Sequence, residues 1–278
     1  MILWRCRWFI VCCTFLALAA AWAQTGPAND FHFSILGDRT GRAAPGVYEQ
    51  ALKEIDGLHP AFLINVGDTI EGGDDSKAES EWEALRPLWR GHSFYFTPGN
   101  HDIFSPVSRK IYEQQTKRPA SYSFDFQSAH FTVLDNSQTE ELDQSQLDFL
   151  RKDLEKNSDK SPKFVFFHRP FWIPYVLFKS GDFPLHRIAK QYGVTAIING
   201  HTHQLLHMPY DGITYLVVGS SGGSISRGLT AKQGLKEGWF YQHISVEVKG
   251  TQVRFSIKQI NGRTFQASEW GRTGLLVP

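Results

Sequence analysis

The hexapeptide Thr97-Pro98-Gly99-Asn100-His101-Asp102 places a carboxamide, an imidazole and a carboxylate directly behind the apolar run Phe94-Tyr95-Phe96. Four other short apolar runs end in the same manner. Phe33-Ser34-Ile35-Leu36 runs into Gly37-Asp38, and Phe62-Leu63-Ile64-Asn65-Val66 into Gly67-Asp68. Phe164-Val165-Phe166-Phe167 runs into His168, and Ala196-Ile197-Ile198-Asn199 into Gly200-His201-Thr202-His203. Polar ligands in α/β proteins gather at the carboxyl ends of strands. Glycine precedes the polar residue in four of the five runs, where the backbone must turn tightly. Carboxylate, carboxamide oxygen and imidazole together suit Fe, Mn or Zn better than Ca or Mg, which prefer all-oxygen shells. Taken singly, Asp38 and Asp68 read as well as helix caps, Asn100 as a turn former and His101 as a satisfied loop histidine. Their co-occurrence points instead to one metal site.

The elements that must carry these residues follow from periodicity. Runs that are apolar throughout read as strands covered on both faces. Helices are expected over Pro45–Leu58 and Ser76–Trp89, each with an apolar stripe, less regularly near Val107–Gln115, and as a short helix over Leu185–Tyr192. Asp143 with Gln146 reads as a capping box opening a further helix with Leu147, Leu150 and Leu154 inward. Tyr122–Phe126 and His130–Leu134 read as a hairpin, and Ile213–Val218, Tyr241–Val248 and Val253–Ile260 as later strands. The alternation predicts one layered domain, a two-sheet sandwich flanked by helices. There are no repeats, low-complexity tracts or linkers that divide it.

Composition bounds the rest. Arg5 and Arg7, the apolar stretch from Trp8 to Ala20, and Ala21-Trp22-Ala23 before Gln24 read as a signal peptide over residues 1–23. An uncleaved anchor and a lipoprotein cysteine are the alternatives. A short linker over 24–30 and one domain over 31–278 follow, in a protein exported to a periplasmic or extracellular space. All three cysteines (Cys6, Cys12, Cys13) fall inside the leader, so the mature chain has neither disulfide nor thiolate chemistry. Of 29 basic and 28 acidic side chains, two arginines lie in the leader, leaving the mature chain near neutrality. That balance does not favour nucleic acid or an anionic membrane as the main partner.

The ordered series Gly-Asp, Gly-Asp, Gly-Asn-His-Asp, strand-His and Gly-His-Thr-His, spanning Asp38 to His203, resembles the calcineurin-like metallophosphoesterase family. The resemblance implies a four-layer α/β/β/α sandwich of two mixed β-sheets flanked by helices. It implies two divalent or trivalent metal ions (Mn, Fe or Zn) sharing Asp68 as the bridging carboxylate. Asp38 and His203 would hold the first, and Asn100, His168 and His201 the second. It also implies a metal-activated water acting on a small phosphate ester, monoester or diester. By the same resemblance His101 is the catalytic, non-ligand histidine, and Asp102 would orient its imidazole through a hydrogen bond.

One position departs from the pattern. The usual first motif is Asp-x-His, and here it reads Asp38-Arg39-Thr40. Purple acid phosphatases, a branch of the same family, also lack that histidine and use a tyrosine three residues after the bridging Asp; here that position is Glu71. Glu71 is either a replacement ligand favouring a harder ion or a solvated loop acid. Arg39 is a candidate phosphate clamp, or the partner of an acid at 71, 74 or 75. The aromatic stretch 171–178 either walls the site or packs on the sheet. The functional expectation is a metal-dependent phosphoesterase. The alternatives are a purple-acid-like monoesterase and a catalytically silent metal- or phosphate-binding domain on the same scaffold.

Overall fold

The computed structural model describes residues 30–179, 183–225 and 228–270. The expected signal peptide, with its three cysteines, lies outside the described residues, as does most of the linker. Among the described residues, twelve strands form two six-stranded mixed sheets.

In the first sheet, β1 (Phe31–Leu36), β2 (Leu63–Asn65) and β3 (Phe94–Tyr95) run parallel. The strands β10 (Gln242–Lys249), β11 (Gln252–Gln259) and β12 (Thr264–Gln266) extend it antiparallel from the other side of β1. In the second sheet, β5 (Ala129–Val133), β6 (Lys163–Phe166), β7 (Ala196–Asn199) and β9 (Ile213–Val217) are parallel. They are edged by antiparallel β4 (Tyr122–Phe126) and β8 (Leu206–Tyr210). The expected two-sheet sandwich is therefore present. The strands β8 and β12 were not among the elements expected from sequence: the Met208-Pro209 stretch and the three-residue β12 carry little β periodicity.

The alternation of each motif strand shows why those runs are apolar on both faces. Phe33, Ile35, Ile64, Phe164, Phe166 and Ile198 point between the sheets into one core. That core is rich in rings: Phe33 stacks on Phe62 at 4.9 Å, and Phe131 on Phe164 at 4.9 Å. The opposite faces carry Val165, Phe167 and Ile197, covered by helices α4 (Gln144–Lys156), α5 (Ile173–Leu177) and α6 (Pro184–Gln191). On the first sheet, Leu36 and Leu63 are covered by Tyr48, Ala51, Leu52 and Ile55 of helix α1 (Val47–Asp56). Helices α2 (Asp75–Leu85) and α3 (Pro106–Thr116) close a third cluster around Trp82 and Tyr112.

Helix limits fall within a few residues of expectation, with one informative difference. The stretch Ser76–Trp89 is an α-helix only to Leu85, and Arg86–Trp89 tightens into a 3-10 turn where Pro87 removes an amide donor. Asp143 does cap α4, accepting from the Gln146 amide. The reciprocal half of the expected capping box is not made, because the Gln146 side chain accepts from Ser121 and the Asp135 amide instead.

A buried polar clip sits where β5 begins, at the edge of the sheet away from the motif ends. His130 Nδ1 lies 2.7 Å from Asp125 and Nε2 2.9 Å from Asp153 of α4. Burial opposes charge on His130, but the hydrogen bonds and charges of the two carboxylates outweigh it and raise its pKa. The stabilisation this gives is complete below the ordinary histidine value of 6.5. It is lost as pH rises through the raised folded value. A His130→Gln variant is therefore expected to lose more stability, relative to the parent, at about pH 6 than at about pH 9. Denaturant melts at the two pH values check this, and an equal loss at both would show that the imidazolium is not the stabilising species.

Candidate metal centre

The five motif loops leave the carboxyl ends of β1, β2 and β3 in one sheet and β6 and β7 in the other. They meet across the sandwich at one edge. Asp38, Asp68 and His203 bring ligand atoms within 4.8 Å of one another, and so do Asp68, His168 and His201. Asp68 belongs to both groups. His168 Nε2 lies 3.2 Å from Asp68 Oδ2, 3.1 Å from Asn100 Oδ1 and 3.2 Å from His201 Nδ1. His203 Nε2 lies 3.8 Å from Asp38 Oδ1.

The backbone is bent to make this meeting possible. Asp68, His201 and His203 all adopt left-handed φ, at 55°, 72° and 59°. Non-glycine residues hold such conformations at a cost on the order of 1 kcal/mol each, and they cluster at functional sites. Gly67, at φ 101°, admits His168: a Cβ there would stand 2.5 Å from His168 Nδ1. Gly200 has the same role for Asp38, whose Oδ2 would lie 2.7 Å from an added Cβ.

The imidazoles are oriented by backbone carbonyls. His168 Nδ1 lies 2.7 Å from Val66 O, and His203 Nδ1 is paired with Ser224 O. A carbonyl accepts only, so each Nδ1 carries its proton and each Nε2 is turned toward the carboxylates, where a cation would take its lone pair. This is the arrangement of a metal-ligating histidine. Asp38 and Asp68 are almost wholly buried, with neither lysine nor arginine in ion-pair range among the described residues.

Burial and the charge of Asp68 push the Asp38 carboxyl up, against the pull of His168, which in turn holds Asp68 down. Burial opposes a charge on His168, yet Asp68 and Asp38 lift that imidazole to about 9. Burial, the charge of His168 and that of Arg169 lower His201 to about 4. The two carboxylates and the imidazoles of His168 and His201 thus set one another's protonation. A cation among them replaces those protons and leaves the carboxylates ionised and the imidazoles neutral. The donor set fits a metal pair on these grounds.

Three expected roles are placed differently. Asp102 does not touch the His101 ring. Its buried carboxylate accepts from the amides of Thr69, Ile70 and Gly99 at 2.8, 3.2 and 3.0 Å, fastening the second motif loop to the third. Three converging amides outcompete one half-exposed imidazole. His101 Nδ1 instead pairs with the Glu71 carbonyl, while its amide donates to Asp68 Oδ1 at 2.9 Å.

The Glu71 carboxylate joins neither donor group; it accepts from the amides of Ala43 and Arg42 at 2.9 and 3.3 Å. Burial works against its charge, but the facing Thr40 hydroxyl and those amides hold its pKa below the usual range. Glu71 is a strut between the loop after Asp38 and His101. A Glu71→Ala variant is accordingly expected to keep the metal stoichiometry of the parent, read by elemental analysis. Loss of one ion per chain would restore Glu71 as a ligand.

Arg39, the expected phosphate clamp, is engaged inside the fold. Its Nη1 donates to Thr69 O at 3.1 Å and its guanidinium lies 5.8 Å from the Tyr48 ring centroid. It makes no ion pair with an acid at 71, 74 or 75 among the described residues. In the aromatic stretch, Trp172 and Val176 pack beneath the surface, leaving Leu177 and Phe178 outside.

Other contributors went unread in the sequence. The loop Gly219–Ser224 follows β9 and cradles the first motif: Ser221 and Gly223 amides donate to Asp38 O, and Ser224 O orients His203. Its signal was present, since Leu216-Val217-Val218-Gly219 is one more apolar run ending in glycine, but it offers no ligand side chain. Buried Asn136 and Asn199 fix His168 from both sides. Asn136 Oδ1 accepts from the His168 and Arg169 amides at 3.1 and 3.0 Å. Asn199 Nδ2 donates to Phe167 O at 2.7 Å, and its Oδ1 accepts from Trp172 Nε1 at 2.6 Å.

The calcineurin-like phosphoesterase profile matches residues 28–205, which contain every candidate ligand. The chain belongs to that family. The family generally uses a dinuclear metal site and acts on phosphate esters. Among curated relatives, the chain is 24% identical over 176 residues to the 3',5'-cyclic adenosine monophosphate phosphodiesterase CpdA of Haemophilus influenzae, covering 59% of this chain and 63% of that protein. Among solved structures, the fold is similar to purple acid phosphatase PPD1 from yellow lupin (Lupinus luteus) seeds. The TM-score is 0.63 and the identity 14%, over 85% of this chain and 53% of that one. It is similar also to GAP50, the anchor in the inner membrane complex of Plasmodium. There the TM-score is 0.61 and the identity 16%, over 85% and 88% of the two chains. The chain thus spans less than two thirds of the phosphodiesterase and about half of the phosphatase. At these identities the structural likenesses show the calcineurin-like fold alone.

Proposed function

We propose that this chain hydrolyses a small phosphate ester at a two-metal centre. Asp68 is shared, Asp38 and His203 stand on one side of it, and Asn100, His168 and His201 on the other. The observation that carries the reading is the meeting of these buried and half-buried donors at five strand ends, with Nε2 of His168 and of His203 turned toward the carboxylates.

A metal pair held there would supply Lewis acidity toward the phosphoryl oxygens and lower the pKa of a water to near neutrality. The chain's own groups do the remaining work. Asp38 and Asp68 balance positive charge, and Asn100 contributes a neutral oxygen. His101, anchored through its Nδ1–H on the Glu71 carbonyl, keeps Nε2 as its exchangeable position. As water adds to phosphorus and the ester P–O bond breaks, that Nε2 gives its proton to the leaving oxygen, and the proton released by the water restores the imidazole.

The test is reconstitution of the purified protein with Mn, Fe and Zn in turn, measuring metal content and turnover of chromogenic mono- and diesters. Two ions per chain with turnover following occupancy are expected. A binding domain without turnover is the second reading, favoured by Thr40 in the place of a ligand with Glu71 engaged elsewhere. Bound metal with no hydrolysis of either ester would establish it. Residues 1–23 are read as an export signal, and a secreted form beginning at Gln24 is the corresponding expectation for N-terminal sequencing.

A further inference from the structure

Arg169 follows His168 directly, and its backbone is pinned on both sides by Asn136, which accepts from its amide and donates to its carbonyl at 3.0 and 2.9 Å. Its side chain therefore leaves from a fixed base beside the His168–His201 pair, and its charge is felt at His201. The guanidinium is mostly enclosed, with 20% of the side chain exposed, and its partner is Glu140, 82% exposed, at 2.6 Å from Nη1. Its Nε is buried without a hydrogen-bond partner. A guanidinium carries several donors in a planar fork matched to phosphate and carboxylate oxygens, and among the described residues only Nη1 is engaged, by Glu140. An ion pair whose acid is almost fully in water is weak and readily exchanged.

The charge of the candidate centre gives Arg169 a purpose. Its donor set holds only two carboxylates, the remaining donors being neutral imidazoles and a carboxamide. With cations bound, such a set carries net positive charge, and Arg169 adds to it at one side. A site so charged favours the more negative of two ligands. A terminal phosphoryl group carries a second negative charge near neutral pH, whereas a diester carries one.

We propose that Arg169 is the substrate-binding arm of this centre. It rests on Glu140 and exchanges that carboxylate for a doubly charged terminal phosphoryl group seated beside His168 and His201, so that the chain selects monoesters over diesters. This selection rests on the phosphoesterase reading above.

The experiment compares the parent, Arg169→Gln and Glu140→Gln proteins, loaded with Mn. Three quantities are measured: metal content, kinetics on a chromogenic monoester and diester, and calorimetric binding of inorganic phosphate. Arg169→Gln is expected to keep its metal while KM for the monoester and Kd for phosphate rise by about 10- to 100-fold. Diester kinetics should move far less. Glu140→Gln, an exposed change that leaves the fold intact, is expected to lower both constants roughly two- to five-fold by removing the competing carboxylate.

Equal losses on both esters in Arg169→Gln, or unchanged phosphate affinity in either variant, would overturn the assignment. A parent that turns over neither ester defeats the hydrolase reading and, with it, the selection of monoesters. Phosphate binding still judges the arm in that event: affinity lost in Arg169→Gln upholds it, and affinity retained rejects it.

Discussion

Turnover of a phosphate ester by an Asp68→Asn variant is expected to fall by roughly a thousandfold or more, with loss of bound metal. The asparagine has the same shape and can still accept from the His101 amide, which Asp68 Oδ1 now holds at 2.9 Å. What it removes is the one negative charge common to both donor groups. Metal ions at such centres stabilise the transition state by several kcal/mol, and each ~1.4 kcal/mol is a factor of ten in rate. The charge also governs His168, whose imidazole Asp68 holds in the protonated state when no cation competes. Elemental analysis and kinetics on the same preparation check both halves of the expectation. A variant with full metal content and activity within about tenfold of the parent would remove Asp68 from the centre.

Asn199→Ala is expected to destabilise the protein by about 2–6 kcal/mol, because it strands two buried partners at about 1–3 kcal/mol each. Those partners are the Trp172 indole N–H and the Phe167 carbonyl. Phe167 immediately precedes His168, and Asn199 stands two residues before His201, so the same side chain sets the spacing of the two imidazoles. Losing such an outer support lowers metal affinity by about 10- to 100-fold in comparable sites. Denaturant melts of the metal-free protein separate the stability loss from the metal effect, which a titration reads directly. Parental values in both would mean that the sheet ladder alone fixes the two strand ends.

The set of candidate ligands was legible in the chain because each obeys a local rule. An apolar run of strand length that ends in an acid, amide or imidazole, after a glycine in four of the five runs, is a pattern read within one segment. Both faces of those strands are buried, so the runs stand out as continuous apolar stretches, as at Phe164–Phe167 with Phe166 inward and Phe167 outward. The two-sheet architecture followed from the order of such segments and from the family they resemble.

Contacts between segments were not legible, and that is where the sequence reading went astray. Asp102 adjoins His101 in the chain, but its carboxylate turns into the protein, where three amides from two loops converge. Glu71 has the spacing of a ligand, yet the loop after Asp38 offers it two amides. His130 meets Asp125 through the register of the hairpin, but Asp153, which completes its pairing, reaches it from a helix 23 residues away.

The sequence by itself determined the donor types, their order and the strands that deliver them, since apolar periodicity and glycine turns act over a few residues. Only the tertiary structure decided which groups share the centre and which merely hold the loops around it. That choice depends on amides and carbonyls, which every residue carries alike, and on the approach of two sheets whose meeting no local pattern encodes.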